Sequence, residues 1–131
     1  MRRRIIVVNV ATTTPWRHDV NIQRGNPLGN PLIMKGEGGR DDAVAGFKML
    51  LCEPCSPAEV AARIRARGGA SLPIHAAQAD RFGFRERSEA ITQLARRVGM
   101  GEKVRLVCAC APKACHGDAI KAAVLSEVAR L

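Results

Sequence analysis

Apolar positions follow two periods along the chain, and the change from one to the other marks its elements. Arg4 to Val10, "RIIVVNV", is a β-branched run apolar on both faces, the pattern of a strand buried inside an α/β sheet. "HDVNIQR" alternates, with Val20 and Ile22 on one side and His18, Asn21 and Arg24 toward the polar side or end, and then breaks into "GNPLGNPL". The Asn-Pro steps there predict a tight, rigid loop, because proline fixes its own φ and pushes the preceding residue into an extended conformation. Helical spacing begins at "GGRDDAVAGFKMLL", with Val44, Phe47, Leu50 and Leu51 on one stripe and Asp41 and Asp42 at the end where a helix favours negative charge.

"SPAEVAARIRARGG" predicts a second helix with sharp ends. Ser56 is the N-cap, Pro57 occupies the first turn, Glu59 completes a capping box, and Gly68-Gly69 stops it. Residues 70–83, "ASLPIHAAQADRFG", have no clean period and read as a connection or lid with one short turn. "FRERSEAITQLARRVG" returns to helical spacing through Ile91, Leu94 and Val98. "KVRLVCAC" places Val104, Leu106, Cys108 and Cys110 on one face and Val107 and Ala109 on the other, which predicts a strand central in the sheet. A last helix from about Asp118 carries Ile120, Val124, Val128 and Leu131 along one stripe. Strands separated by helices predict a single-domain α/β sandwich, a mostly parallel, Rossmann-like sheet flanked by helices.

Length agrees with one domain, since 131 residues bury one core and are short for two. Charge adds a direction: 21 Lys and Arg against 12 Asp and Glu leave +9, which favours a polyanionic partner or substrate. A solvated basic surface explains that charge equally well. The 3% aromatic content, with no tyrosine, argues against the stacking platforms of single-strand binders. Eight arginines between Arg63 and Arg97 make the middle of the chain the expected basic surface for any nucleic acid, or else a solvated helix face. No apolar run approaches the roughly 18 residues that span a bilayer, and "MRRRIIVVNVATTTP" is a poor export signal, so no membrane and a cytoplasmic location are expected. The five cysteines are then read first as reduced thiols.

Most of the candidate chemistry lies in "VRLVCACAPKACHGDAIK", residues 104–121. The turn after a central strand is where ligands bind in open α/β sheets. Cys115 and His116 fall at the start of the last helix, where helix amides, a neighbouring imidazolium and Lys113 all favour a thiolate at Cys115. His116 is the alternative acid or base, oriented by Asp118. Zinc is a further reading: no metal is favoured, but Cys52 and Cys55 of "CEPC" with Cys110 and Cys115 make the best ligand set. A disulfide between Cys110 and Cys115 ranks lower. Cys108 reads as a small core hydrophobe, Cys52 and Cys55 as ordinary loop cysteines, and His18 and His75 as surface or locally bonded residues.

Three stretches, "NIQRGNPLGNPL", "GGRDDAVAGFKMLL" and "LVCACAPKACHGDAI", resemble a family of small phage and bacterial domains catalogued as domain of unknown function 4326. The resemblance implies that Arg24, Gly29, Asn30, Pro31 and Arg40 share a site with Cys110, Cys115, His116 and Asp118, and it names no reaction. Two departures stand out. The stretch 52–102 is longer than the family leads one to expect, which sets "CEPC" and the Arg-rich middle outside the shared site. Ala109 stands where the family often has an aromatic residue, which leaves the pocket more open.

Pooled, these residues describe an anion pocket, with Arg24, Arg40 and Lys113 as cations and the loop of Gly29 and Asn30 as amide donors. The expected function is a nucleotide- or nucleic-acid-associated domain that carries out hydrolysis or group transfer through Cys115 or His116. The competing expectation is a non-catalytic module, zinc-stabilised or not, that binds nucleic acid or a protein.

Overall fold

The computed structural model describes residues 5–17, 19–109 and 115–131. Three strands, β1 (Ile5–Asn9), β2 (Asp19–Asn21) and β3 (Val104–Cys108), form a parallel sheet in the order β1-β3-β2. The register aligns Ile5 with Val104, Val7 with Leu106, and Val20 with Leu106 from the other side. β3 is therefore the central strand, as its two-sided apolar pattern predicts.

The described residues also form five helices: α1 (Arg40–Cys52), entered through a 3-10 turn at Glu37–Gly39, α2 (Pro57–Ala66), α3 (Ala76–Arg81), α4 (Phe84–Gly99) and α5 (His116–Val128). α5 packs on β1 and β3, α4 packs on α5 and β3, α1 lies against α5, and α2 lies outside on α1. The architecture is a mixed α/β fold with a small parallel sheet, consistent with a Rossmann-like arrangement. Among the described residues no helix is long and apolar enough to cross a membrane.

The sheet has one dry face. Ile5, Val104, Leu106 and Cys108 are buried in the cluster that also takes in Phe47, Leu50, Leu94, Ile120 and Val124 from the helices. On the other face Arg105 forms a two-pronged ion pair with Asp19, at 2.7 and 2.9 Å, and also bonds to the Thr14 carbonyl and the Thr13 hydroxyl. Those bonds hold the Asp19 carboxyl below the ordinary carboxylate range. The Trp16 ring covers the guanidinium at 5.7 Å, so the loop after β1 folds onto this face.

Here the sequence reading of β1 needs correction. It is an edge strand, not one buried inside the sheet, and Ile6 is 38% exposed on the open face. A β-branched run reports strand propensity and cannot tell one covered face from two. Leu131, expected on the buried stripe of the last helix, lies beyond the end of α5 and is exposed.

The helix boundaries are where the capping chemistry places them. At Ser56 both halves of the capping box form: the hydroxyl accepts from the Glu59 amide and the Glu59 carboxylate accepts from the Ser56 amide. α3 replaces the expected short turn, with His75 Nδ1 accepting from the Gln78 amide as its N-cap.

The Arg-rich middle divides. Arg87 points inward and donates to the carbonyls of Leu50 and Phe82, satisfying the end of α1, and burial lowers its pKa. Arg63, Arg85 and Arg97 pair with Glu53, Glu89 and Glu102. Half of the eight arginines are thus buried or ion-paired, and the segment is not one uniform cationic face.

Candidate functional site

A cavity of about 620 Å³ opens at the carboxyl ends of β2 and β3. Its wall brings together residues from four parts of the chain: Asn21, Gln23, Arg24 and Asn30 after β2, Arg40, Ala43 and Val44 at the start of α1, Cys108 and Ala109 at the end of β3, and Cys115 and His116 at the start of α5. Leu32, Ile33 and Met34 supply an apolar side. This is the position at which open parallel sheets bind ligands, because the loops there leave a crevice between diverging chains.

The Gly-Asn-Pro loop is held by a clamp that sequence reading did not foresee. Gln78 of α3 is buried; its Oε1 accepts from the Gly25 amide and its Nε2 donates to the carbonyls of Asn26 and Gly29. An antiparallel bridge between Leu32 and Ile74 adds bonds from Ile33 to Pro73 and from His75 to Pro31. The periodless 70–83 stretch is therefore a brace under the loop. No pattern marked Gln78, since one polar residue in an irregular segment has no signal of its own.

Within the loop, Asn30 spends both ends of its amide. Nδ2 donates to the Ala43 carbonyl at 3.1 Å and Oδ1 accepts from the Leu32 amide, which ties the loop to α1. Gly29 lines nothing, but a Cβ there would stand 2.6 Å from the Arg24 Cα, so its role is close backbone approach. Arg24 donates from Nε to Asn30 and from Nη2 to Leu32, both carbonyls. Among the described residues it has no carboxylate partner. Arg40 is paired with Glu37 through two bonds of 2.9 Å. Among the described residues two arginines line the cavity and no acidic residue does.

At the start of α5 the three predicted residues Cys115, His116 and Asp118 separate into distinct roles. Cys115 is the N-cap: its Sγ accepts from the Gly117 amide at 3.2 Å, and its own amide donates to Asp118 Oδ2. Asp118 is thereby committed to the cap, is exposed, and does not line the cavity. His116 Nε2 donates to the Ile22 carbonyl at 2.7 Å, and Phe47 meets its ring edge-on at 5.0 Å. Burial, with a smaller push from Arg24, lowers its pKa against the pull of the Ile22 and Leu28 carbonyls and of Asp118, which keeps the ring neutral. Orientation of His116 therefore comes from Ile22, across the chain, and not from Asp118.

Cys108 is buried in the core as expected, yet it also lines the cavity, and its sulfur stands 3.2 Å from Cys115 Sγ. Cys110 and Lys113 lie outside the described residues, and so does His18. Cys52 closes α1, about 18 Å along the helix from Arg40 at 1.5 Å per residue, so the "CEPC" pair sits at the opposite end of α1 from Cys115. Burial raises the Cys55 pKa. Among the described residues no three His, Cys, Asp or Glu side chains are grouped to hold a metal ion.

Sequence reading missed Asn21 and Gln23, whose side chains line the cavity directly after β2. The signal was present in "VNIQR", where polar residues alternate with Val20 and Ile22 at a strand's carboxyl end. Ala109 lies on the wall, where an aromatic side chain would narrow the cavity.

No curated protein and no solved structure matches the chain. The family model described as Domain of unknown function (DUF4326) matches residues 8–126, through the middle as well as both ends, and the chain belongs to that family.

Proposed function

We propose that the cavity binds a small anionic molecule, a nucleotide first among them, and that Cys115 is the group that acts on it. One observation carries this: the wall holds Arg24 and Arg40 with no acidic residue, and Arg24 has no carboxylate partner among the described residues. Arg24 is exposed at the cavity wall, where a guanidinium without a carboxylate partner attracts an anionic ligand, and its donors suit phosphate oxygens. The amides of Asn21 and Gln23 give polar contacts for a sugar or base edge, and Leu32, Ile33 and Met34 give an apolar surface for a flat ring.

The reaction class that fits is hydrolysis or group transfer at a phosphate or glycosidic bond. His116 has given its Nε2 to Ile22, which leaves the Cys115 thiol as the better candidate for attack. The competing reading, a non-catalytic nucleic-acid module, gains nothing from the arginine-rich middle, half of which is buried or ion-paired.

The test is a melting-temperature screen of the full chain against nucleoside mono-, di- and triphosphates and inorganic phosphate. A ligand at about a hundred times its Kd adds about 2.7 kcal/mol, several degrees of Tm. Arg40→Ala and Arg24→Gln should each remove most of that shift while retaining the far-UV spectrum. If no nucleotide or phosphate raises the Tm, and duplex or single-stranded nucleic acid binds with a steep salt dependence instead, the small-anion reading is wrong.

A further inference from the structure

Cys108 ends the central strand and Cys115 caps α5, and their two Sγ atoms stand 3.2 Å apart. The residues are 1% and 2% exposed, but both line the cavity, which gives a small reagent its route to the sulfurs. Among the described residues the Cys108 thiol has no other polar partner. Cys115 Sγ faces the Gly117 amide, a donor that stabilises negative charge on that sulfur. A disulfide bond is about 2.0 Å long, so closing this pair needs the sulfurs to approach by only about 1.2 Å.

We propose that Cys108 and Cys115 are a redox pair, converted to an intramolecular disulfide by hydrogen peroxide that enters the cavity. The Cys115 thiol gives its proton to solvent and the thiolate attacks one peroxide oxygen. The O–O bond breaks, an S–O bond forms, and the departing oxygen leaves as water, with Cys115 now a sulfenic acid. Cys108 then loses its proton and attacks the Cys115 sulfur. The S–S bond forms, the S–O bond breaks, and a second water leaves. Two thiols give up two electrons and two protons, and the peroxide is reduced to two waters. The proposal does not depend on which ligand the cavity takes.

The experiment treats the reduced full chain with hydrogen peroxide, then blocks the remaining thiols and reads the intact mass and the tryptic map under non-reducing conditions. Trypsin cuts after Lys113, so Cys108 and Cys110 fall in one peptide and Cys115 in another. The expected product has lost two hydrogens and links those two peptides, and free thiols fall from five to three. The link should persist in Cys110→Ser and vanish in Cys108→Ser and Cys115→Ser. Loss of the link in Cys110→Ser would overturn the assignment, as would oxygen addition without any cross-link. Because Cys110→Ser leaves the buried Cys108 in place, that arm decides the matter even if Cys108→Ser fails to fold.

Discussion

The imidazole of His116 donates from Nε2 to the carbonyl of Ile22 at 2.7 Å, bonding the first residue of α5 to the chain just past β2. That bond ties the start of α5 to the segment that leads into the Gly-Asn-Pro loop. It also makes the site sensitive to acid, because the ring is held neutral among buried neighbours.

The sign of that sensitivity follows from the direction of the shift. Burial lowers the folded pKa of His116 below its ordinary value of 6.5, so the unfolded chain takes up the proton more readily. The stabilisation is full above about pH 6.5 and is lost as pH falls from there through the lower folded value. Urea midpoints should therefore drop between pH 7 and pH 5. In His116→Asn that slope should flatten, and an unchanged slope would assign the acid sensitivity to another group.

Gln78 should matter more than any residue of comparable polarity on the surface. Gln78→Ala leaves the Gly25 amide and the carbonyls of Asn26 and Gly29 without their partner, a loss of about 2–4 kcal/mol in urea unfolding. Gln78→Glu should be worse at neutral pH, since it turns a carboxylate oxygen toward two carbonyl oxygens. Anion affinity should weaken in both, because the loop carrying Arg24 and Asn30 loses its brace.

Gly117 lets α5 start close to the sheet. A Cβ there would lie 2.9 Å from Val7 Cγ1, 3.0 Å from Ile22 Cδ1 and 3.1 Å from Cys115 Sγ. Gly117→Ala should cost about 1–3 kcal/mol through overpacking, despite the better helix propensity of alanine. Equilibrium denaturation measures this directly, and a stabilised variant would mean that the α5 N-terminus can move away from β1 without penalty.

Asp118 separates a capping role from a catalytic one. Asp118→Ala removes the acceptor of the Cys115 amide and should lower stability by about 1 kcal/mol. Nucleotide-induced Tm shifts should stay at the parent value, because the carboxylate does not reach the cavity. A selective loss of ligand response at unchanged stability would return Asp118 to the site.

What the sequence determined by itself was local. Apolar periods and caps located β3 and four of the five helices, since strand alternation, Ser56 with Glu59, and Gly68-Gly69 all act within a few residues of chain. The turn after β3 pointed to Cys115 and His116, and the family resemblance to Arg24, Asn30 and Arg40; these five line one cavity. Tertiary structure alone decided the partners across the chain. β1 is an edge strand because it pairs with β3 alone, in the order β1-β3-β2. His116 is oriented by Ile22, ninety-four residues away, and not by its near neighbour Asp118. Cys115 meets Cys108, not Cys52 or Cys55, because the end of β3 and the start of α5 converge where the other pair lies at the far end of α1. Sequence spacing reports which side chains share a face of one element, whereas a site is made where the ends of several elements meet.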